Sequence, residues 1–368
     1  MKPASFALIM AGGRGTRFWP ASRARYPKQL LKILSAKSLI RETAERVIPL
    51  IGRDRTFVVT VREHAPAVRR ELAVIPKANC LEEPWGRNTA PCIGLAALEL
   101  ARMDSNAAMI VLPADHWITD VQSFRRLLKT GVRIVAERDV AVTIGIRPSY
   151  PETGYGYIVK GKSLAGPNGP AWAVSGFKEK PPFDEAARLL RSGALWNSGI
   201  FIWKVRTILE LLRDYSLPIY ERLEAIRSAM GKQSLRAAKR PLRAAVARHY
   251  KDMPSLSVDY AVMEKAAAAG RVVTLAGNFG WSDVGSWAAL HRLLARDRSN
   301  NAGVGQWLPL DSSDCLIYSP RRLAVVFGLS EAVVIDTPDA LFVGNLKKSQ
   351  DLRAVVAELE KRGYKHLT

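Results

Sequence analysis

Short apolar, β-branched runs alternate along this chain with longer stretches whose apolar positions recur every three or four residues. ASFALIM (4–10), RTFVVTV (55–61), AAMIVLP (107–113) and VAVTIGI (140–146) read as buried strands. Helical patterns occupy 38–50, 64–74, 90–103 and 121–138. Strands separated by helices of this length predict a parallel sheet covered on both faces. Beyond 150 the pattern is mixed, with strands near 155–160, 171–178 and 198–203 and a helix at 184–192. A helical stretch follows over 205–269, interrupted at Pro218, Pro241 and Pro254. After Arg298-Ser299-Asn300-Asn301, strand-like runs at 314–318, 323–327, 332–336 and 340–344 are spaced by Pro, Gly and Asp. An amphipathic helix closes the pattern at 347–362, with Leu352, Val355, Val356 and Leu359 on one face. The pattern predicts two domains: an α/β domain over 1–298, and a small β appendage with a helical tail over 299–368.

With 48% hydrophobic and 24% charged residues in 368, the composition excludes a disordered chain. The net charge of +21 calls for an anionic partner: nucleic acid, an anionic membrane or small phosphates. Cys80, Cys92 and Cys315 are far apart and form no CxxC pair, which argues against a disulfide framework or a structural zinc and fits a cytoplasmic protein. No apolar run approaches the roughly 18 residues that cross a bilayer, and Phe6 to Ala11 is too short for a signal sequence. Much of the charge lies between Arg227 and Lys251, which holds eight Lys and Arg (Arg227, Lys232, Arg236, Lys239, Arg240, Arg243, Arg248, Lys251) and no acid. That stretch reads as a solvated helix face, because its cations are not interleaved with the aromatic residues that stack nucleic-acid bases.

Chemistry concentrates just after the first strand. Ala11-Gly12-Gly13-Arg14-Gly15-Thr16-Arg17 lets the backbone approach an anion and present several N–H groups to it. No Gly-Lys-Ser/Thr follows as in a Walker loop, and Phe18 stands where a dinucleotide fingerprint needs its third glycine. Pro20 and Pro27 predict an extended loop carrying Arg14, Arg17, Arg23 and Lys28, a set of cations suited to a triphosphate. Asp115 follows the strand ending at Leu112, where open α/β sheets bind ligands, and could hold Mg²⁺ together with substrate phosphates. Ser282 or Asp283 reads as the N-cap of a helix over 286–295, and Asn88 and Thr89 as N-cap residues for the helix at 90–103.

The run from Ala11 to Pro20, continued by Ser22-Arg23 and Pro27-Lys28-Gln29, resembles the signature of sugar-1-phosphate nucleotidylyltransferases. Trp19-Pro20 and Pro27-Lys28-Gln29 resemble the mannose-1-phosphate guanylyltransferase branch. The resemblance implies a Rossmann-like, doubly wound mixed sheet of the nucleotide-diphospho-sugar transferase type, with a small C-terminal β domain like a short β-helix. It implies that Ala11, Gly12, Gly13, Arg14, Gly15 and Thr16 wrap the nucleotide phosphates. Arg17 and Lys28 would neutralise the α-phosphate and the departing pyrophosphate. Gly280-Trp281-Ser282-Asp283-Val284-Gly285-Ser286-Trp287 matches the family element that supplies a second metal carboxylate, Asp283 beside Asp115. Glu83, Asn88 and Thr89 match the base-pocket element, with Glu83 an acceptor for the N1–H and N2–H₂ donors of guanine. On the sugar side the matches are Gly154, Glu179, Lys180 and Asn197. Lys178 departs from the small apolar residue usual in the family, and strand alternation points it away from Glu179.

By that resemblance the activity is transfer of GMP from GTP to α-D-mannose 1-phosphate with Mg²⁺, forming GDP-mannose and pyrophosphate. The expected partners are GTP and mannose 1-phosphate, not nucleic acid or membrane. The appendage is a candidate for homodimer contacts. The rivals are a nucleotidylyltransferase for another sugar (heptose or fucose) or another nucleotide, and a basic nucleic-acid-binding or regulatory protein on the same fold. The roughly 70 residues after Ser299 are too few for the cupin-like isomerase domain of some family members, so a monofunctional transferase is expected.

Overall fold

The computed structural model describes residues 4–13, 15–164 and 170–368. Two compact units interleave along the chain: Met1–Gly12, Thr43–Ala114 and Ile118–Trp281 form the first, and Gly13–Glu42, Asp115–Trp117 and Ser282–Thr368 the second. The strands are β1 (Ser5–Met10), β2 (Thr56–Val61), β3 (Cys80–Glu83), β4 (Ala108–Pro113), β5 (Trp117–Ile118), β6 (Ala141–Ile146), β7 (Tyr157–Ser163), β8 (Ala171–Lys178), β9 (Leu195–Lys204), β10 (Val272–Gly277), β11 (Trp281–Ser282), β12 (Ala302–Leu310), β13 (Leu316–Phe327), β14 (Ala332–Asp336) and β15 (Leu341–Asn345). The helices are α1 (Leu39–Ile51), α2 (Ala65–Glu71), α3 (Thr89–Asp104), α4 (Val121–Glu137), α5 (Phe183–Arg191), α6 (Val205–Tyr215), α7 (Leu217–Met230), α8 (Arg240–Lys251), α9 (Glu264–Ala268), α10 (Trp287–Leu293) and α11 (Leu352–Lys361).

The first unit is built on a nine-stranded sheet in the order β3-β2-β1-β4-β9-β6-β10-β8-β7. Its strands bury both faces. Phe6 and Leu8 of β1, with Met109 and Val111 of β4, pack under Leu95 of α3, Ile208 of α6 and Leu223 of α7. Ala7, Ile110 and Leu112 point the other way, toward Phe124 and Leu128 of α4. This is the doubly wound arrangement, but the sheet is mixed where strand–helix alternation alone predicted a parallel one. β1, β2, β3 and β4 pair in parallel, while β9 lies antiparallel to both β4 and β6. The antiparallel β7–β8 pair reverses the chain direction. The crossover through α5 then brings in β9 with the direction of β8. The strands β3 and β10 escaped the sequence pattern, β3 because it is four residues long and ends in two acids.

The second unit has its own core. Phe18, Trp19, Leu31, Trp287, Leu316, Ile335, Leu352 and Val356 are buried together. Its sheet runs β12-β13-β14-β15, with the first three strands parallel and β15 antiparallel. The runs expected at 314–318 and 323–327 are one strand, β13. Pro320, which cannot donate to a ladder, falls where the pairing with β12 jumps from Gly305–Ser319 to Trp307–Ala324. β12 was hidden by its two glycines and Pro309. Among the described residues no helix is long and apolar enough to cross a membrane.

Candidate active site

In the second unit the glycine run turns sharply. Gly15 sits at φ +65°, and a Cβ there would come within 2.7 Å of the Lys28 backbone nitrogen, so the turn requires glycine. Ser22 Oγ donates to Gly15 O at 2.6 Å and holds the turn closed. The next residues, Thr16–Phe18, form a 3₁₀ turn anchored by the buried Phe18 ring, 4.8 Å from the Trp287 ring. Trp287 Nε1 in turn donates to Trp19 O at 3.1 Å. This packing fixes the loop that carries Arg17.

Lys28 is buried, and its ammonium donates to Asp115 Oδ2 and to the Asp283 main-chain oxygen, both at 2.7 Å. Gly15, Arg17, Lys28, Asp115 and Asp283 line one cavity of about 380 Å³. Burial opposes ionisation of Asp115, but the charges of Lys28 and His116 outweigh it and hold the carboxyl below the usual carboxylate range. Asp283 is not the helix cap expected from sequence. Ser286 caps α10 by accepting from Ala289 N, while Asp283 Oδ1 accepts from Gly285 N at 3.1 Å. Both acidic residues line the cavity. No group of three or more His, Cys, Asp and Glu assembles among the described residues. The oxygen donors at hand are the two carboxylates, which suit a hard cation completed by phosphate and water, as Mg²⁺ is usually bound.

Two expected cations differ from this picture. Arg14 lies outside the described residues. Arg23, grouped with the phosphate cations from sequence, instead binds Asp339 at 2.9 Å and lies over the Trp19 ring.

The residues expected in a base pocket lie in the first unit. A Cβ on Gly12 would come 3.2 Å from Glu83 Oε1, so Glu83 lies close against the glycine. Ala11 continues the β1 ladder, donating to Val59 O at 2.8 Å. Glu83 is 1% exposed, its Oε2 accepts from the Tyr250 hydroxyl, and burial pushes its carboxyl up to about 7. Its side chain is thus engaged within the protein rather than presented as an open acceptor. Asn88 is the N-cap of α3 and accepts from Thr89 N at 2.9 Å, while Thr89 Oγ1 accepts from Val258 N at 2.8 Å.

The residues expected on the sugar side converge in the same unit, with one exception. Asn197 N donates to Gly156 O at 2.7 Å, and its side-chain amide donates to Asp259 Oδ1 at 2.9 Å. Glu179 pairs with Lys180, whose backbone sits at φ +47°. Lys178 points elsewhere, toward Glu185 at 3.6 Å. Gly154 serves a turn, donating to Glu152 Oε1 at 2.8 Å.

Two residues of these clusters were missed from sequence. Asp259 begins a π-helical turn, Asp259–Met263, and burial and the Glu179 charge raise its carboxyl to about 6. The one sequence signal was an acid inside the apolar run Val258 to Met263. Arg353, at the start of α11, lines the same cavity as Arg17 and Lys28. Nothing local marks it, because its neighbours read only as an amphipathic helix.

The doubly wound sheet, the glycine turn and the paired acids define a nucleotide-transferring enzyme class, and the chain belongs to the nucleotidyl transferase family, which it matches over residues 6–300. Residues 305–359 match the MannoseP isomerase/GMP-like beta-helix domain. Among its relatives, the mannose-1-phosphate guanylyltransferase of Escherichia coli is 36% identical over 357 residues, covering 96% of this chain and 73% of that protein. The xanthan biosynthesis protein XanB of Xanthomonas campestris pv. campestris (strain B100) is 38% identical over 365 residues, covering 98% of this chain and 74% of that protein. The crystal structure of a mannose-1-phosphate geranyltransferase from Thermus thermophilus superimposes with a TM-score of 0.85 at 35% identity, covering 98% of this chain and all of that one.

Proposed function

We propose that this protein transfers GMP from GTP to α-D-mannose 1-phosphate, forming GDP-mannose and releasing pyrophosphate. The observation that carries this reading is the cavity in which a left-handed glycine turn, Arg17 and Lys28 meet the carboxylates of Asp115 and Asp283. Cations with backbone N–H groups suit a polyphosphate, and paired acids beside them suit the metal that accompanies one.

The attacking oxygen belongs to a sugar phosphate that is already anionic, so the reaction needs no general base. Catalysis is then alignment and charge neutralisation for in-line displacement at the α-phosphorus. Arg17 and Lys28 neutralise the triphosphate as pyrophosphate departs. Asp115 and Asp283 would hold Mg²⁺, which when bound supplies positive charge at the reacting phosphates. Lys180 binds the phosphate of mannose 1-phosphate, and Glu179 and Asn197 orient its hydroxyls, with Asp259 fixing the Asn197 amide. Glu83 lies close against Gly12 at the start of the phosphate loop. The residues in these roles fall within 1–298, which we take as the catalytic segment, with 299–368 forming the β appendage and its helix.

The test is product identification. Incubation of the protein with GTP, mannose 1-phosphate and Mg²⁺, followed by anion-exchange separation, should yield GDP-mannose and pyrophosphate in equal amounts. GDP with inorganic phosphate, or unreacted GTP, would contradict the proposal.

A further inference from the structure

We infer that Arg353, carried by α11 in the C-terminal segment, is a further phosphate-binding residue that holds the part of the triphosphate that departs as pyrophosphate. The inference rests on the transferase reading above and adds to it a substrate-binding part for a segment otherwise read as an appendage.

Three observations within the second unit carry it. First, α11 is fixed against the phosphate loop. Leu352 and Val356 are buried in one cluster with Phe18 and Trp287, and the helix packs on the Thr16–Phe18 turn. The chain around it is tied down as well: Ser349 Oγ accepts from Ala288 N at 3.2 Å, and Trp19 Nε1 donates to Leu367 O at 2.8 Å. Second, Arg353 directly follows Leu352 in the first turn of that helix and lines the same cavity as Arg17, Lys28 and the two acids. Third, the charges there are unbalanced. Lys28 is matched by Asp115, whereas among the described residues neither Arg17 nor Arg353 makes an ion pair. Arg17 is the main influence on Arg353, lowering its affinity for a proton, and neither acid contributes.

Two guanidinium groups that line one cavity without an ion-pair partner repel each other. A multiply charged anion between them removes that repulsion, and the planar guanidinium fork matches phosphate oxygens in pairs. A triphosphate in this cavity would have both the two acids and the Arg17–Arg353 pair in the lining around it. The pyrophosphate portion is the part with enough charge to occupy both arginines.

The experiment is calorimetric titration of pyrophosphate into wild type, Arg353→Ala and Arg353→Lys, with Arg362→Ala as the control. Arg362 follows α11, is exposed and pairs with Glu358 at 2.7 Å. Loss of a charge-assisted contact should weaken pyrophosphate about 10- to 100-fold in Arg353→Ala, with Arg353→Lys in between and Arg362→Ala unchanged. In turnover, KM for GTP should rise while KM for mannose 1-phosphate stays within about twofold. Pyrophosphate binding within about twofold of wild type in Arg353→Ala, or absent from the wild type, would overturn the inference. If Arg353→Ala melts early, Arg353→Gln is judged by the same criterion. Binding requires no turnover, so a wild type that binds pyrophosphate through Arg353 but makes no GDP-mannose would overturn the reaction and leave this inference standing.

Discussion

The ammonium of Lys28 lies 2.7 Å from a carboxylate oxygen of Asp115 and 2.7 Å from the main-chain oxygen of Asp283. One cation from the phosphate loop thus joins two residues that the sequence keeps far apart, and both acids line one cavity. If they hold the metal, Asp115→Asn should keep the shape and the Lys28 contact but lose the charge. Turnover should fall by about 100-fold or more, the scale of losing one strong electrostatic contact to a transition state, with an unchanged circular dichroism spectrum. A wild-type rate in Asp115→Asn would remove Asp115 from the metal site.

Glu83 makes a pH-dependent contribution to stability. Its folded carboxyl titrates at about 7, above the unfolded value near 4.5, so the folded state binds the extra proton between those limits. Stability from this group is fully present below about 4.5 and is lost as pH rises through about 7. The raised pKa corresponds to ~3 kcal/mol at neutral pH. Urea unfolding of wild type and Glu83→Gln at pH 5 and pH 8 measures it: the variant should gain on the wild type as pH rises. A constant difference between the two would contradict the buried, protonatable Glu83.

Gly15→Ala tests the turn itself. The substitution places a methyl group against Lys28 at a backbone angle that disfavours any side chain. It should cost about 1–3 kcal/mol of stability and, by displacing Lys28, lower kcat more than tenfold. Thermal melting and steady-state kinetics read the two effects separately. Unchanged kinetics would mean that Lys28 does not depend on this turn.

Lys180→Ala should raise KM for mannose 1-phosphate about 10-fold or more and leave KM for GTP within about twofold. Equal changes in both would point to a general disturbance around the strained Lys180 backbone.

The long-range architecture was legible where local pattern and burial agree. β1, β2, β4 and β6 are continuous apolar runs because helices cover both faces of the sheet, so sequence finds them within a residue or so. The glycine turn was legible because Gly15 answers a steric demand that few other residues meet. The rest depends on contacts remote in sequence. Asp283 resembled a helix cap until Ser286 was seen to occupy that position. Arg23 resembled its loop neighbours, yet its charge is answered by Asp339 from the far end of the chain. Arg353 carries no local mark, since it sits on an ordinary amphipathic helix, and Asp259 carries only the mark of an acid inside an apolar run. The basic stretch 227–251 is clarified in part: α8 buries Leu242, Val246 and Tyr250 on one face, and Tyr250 holds Glu83.

The most direct measurement is pyrophosphate release by the wild-type protein across a grid of nucleoside triphosphates and sugar 1-phosphates. The account predicts that GTP with mannose 1-phosphate gives the highest kcat/KM of any pair. A higher value with UTP or dTTP, or with a heptose or fucose phosphate, would contradict it, as would no release from any pair alongside salt-sensitive nucleic-acid binding.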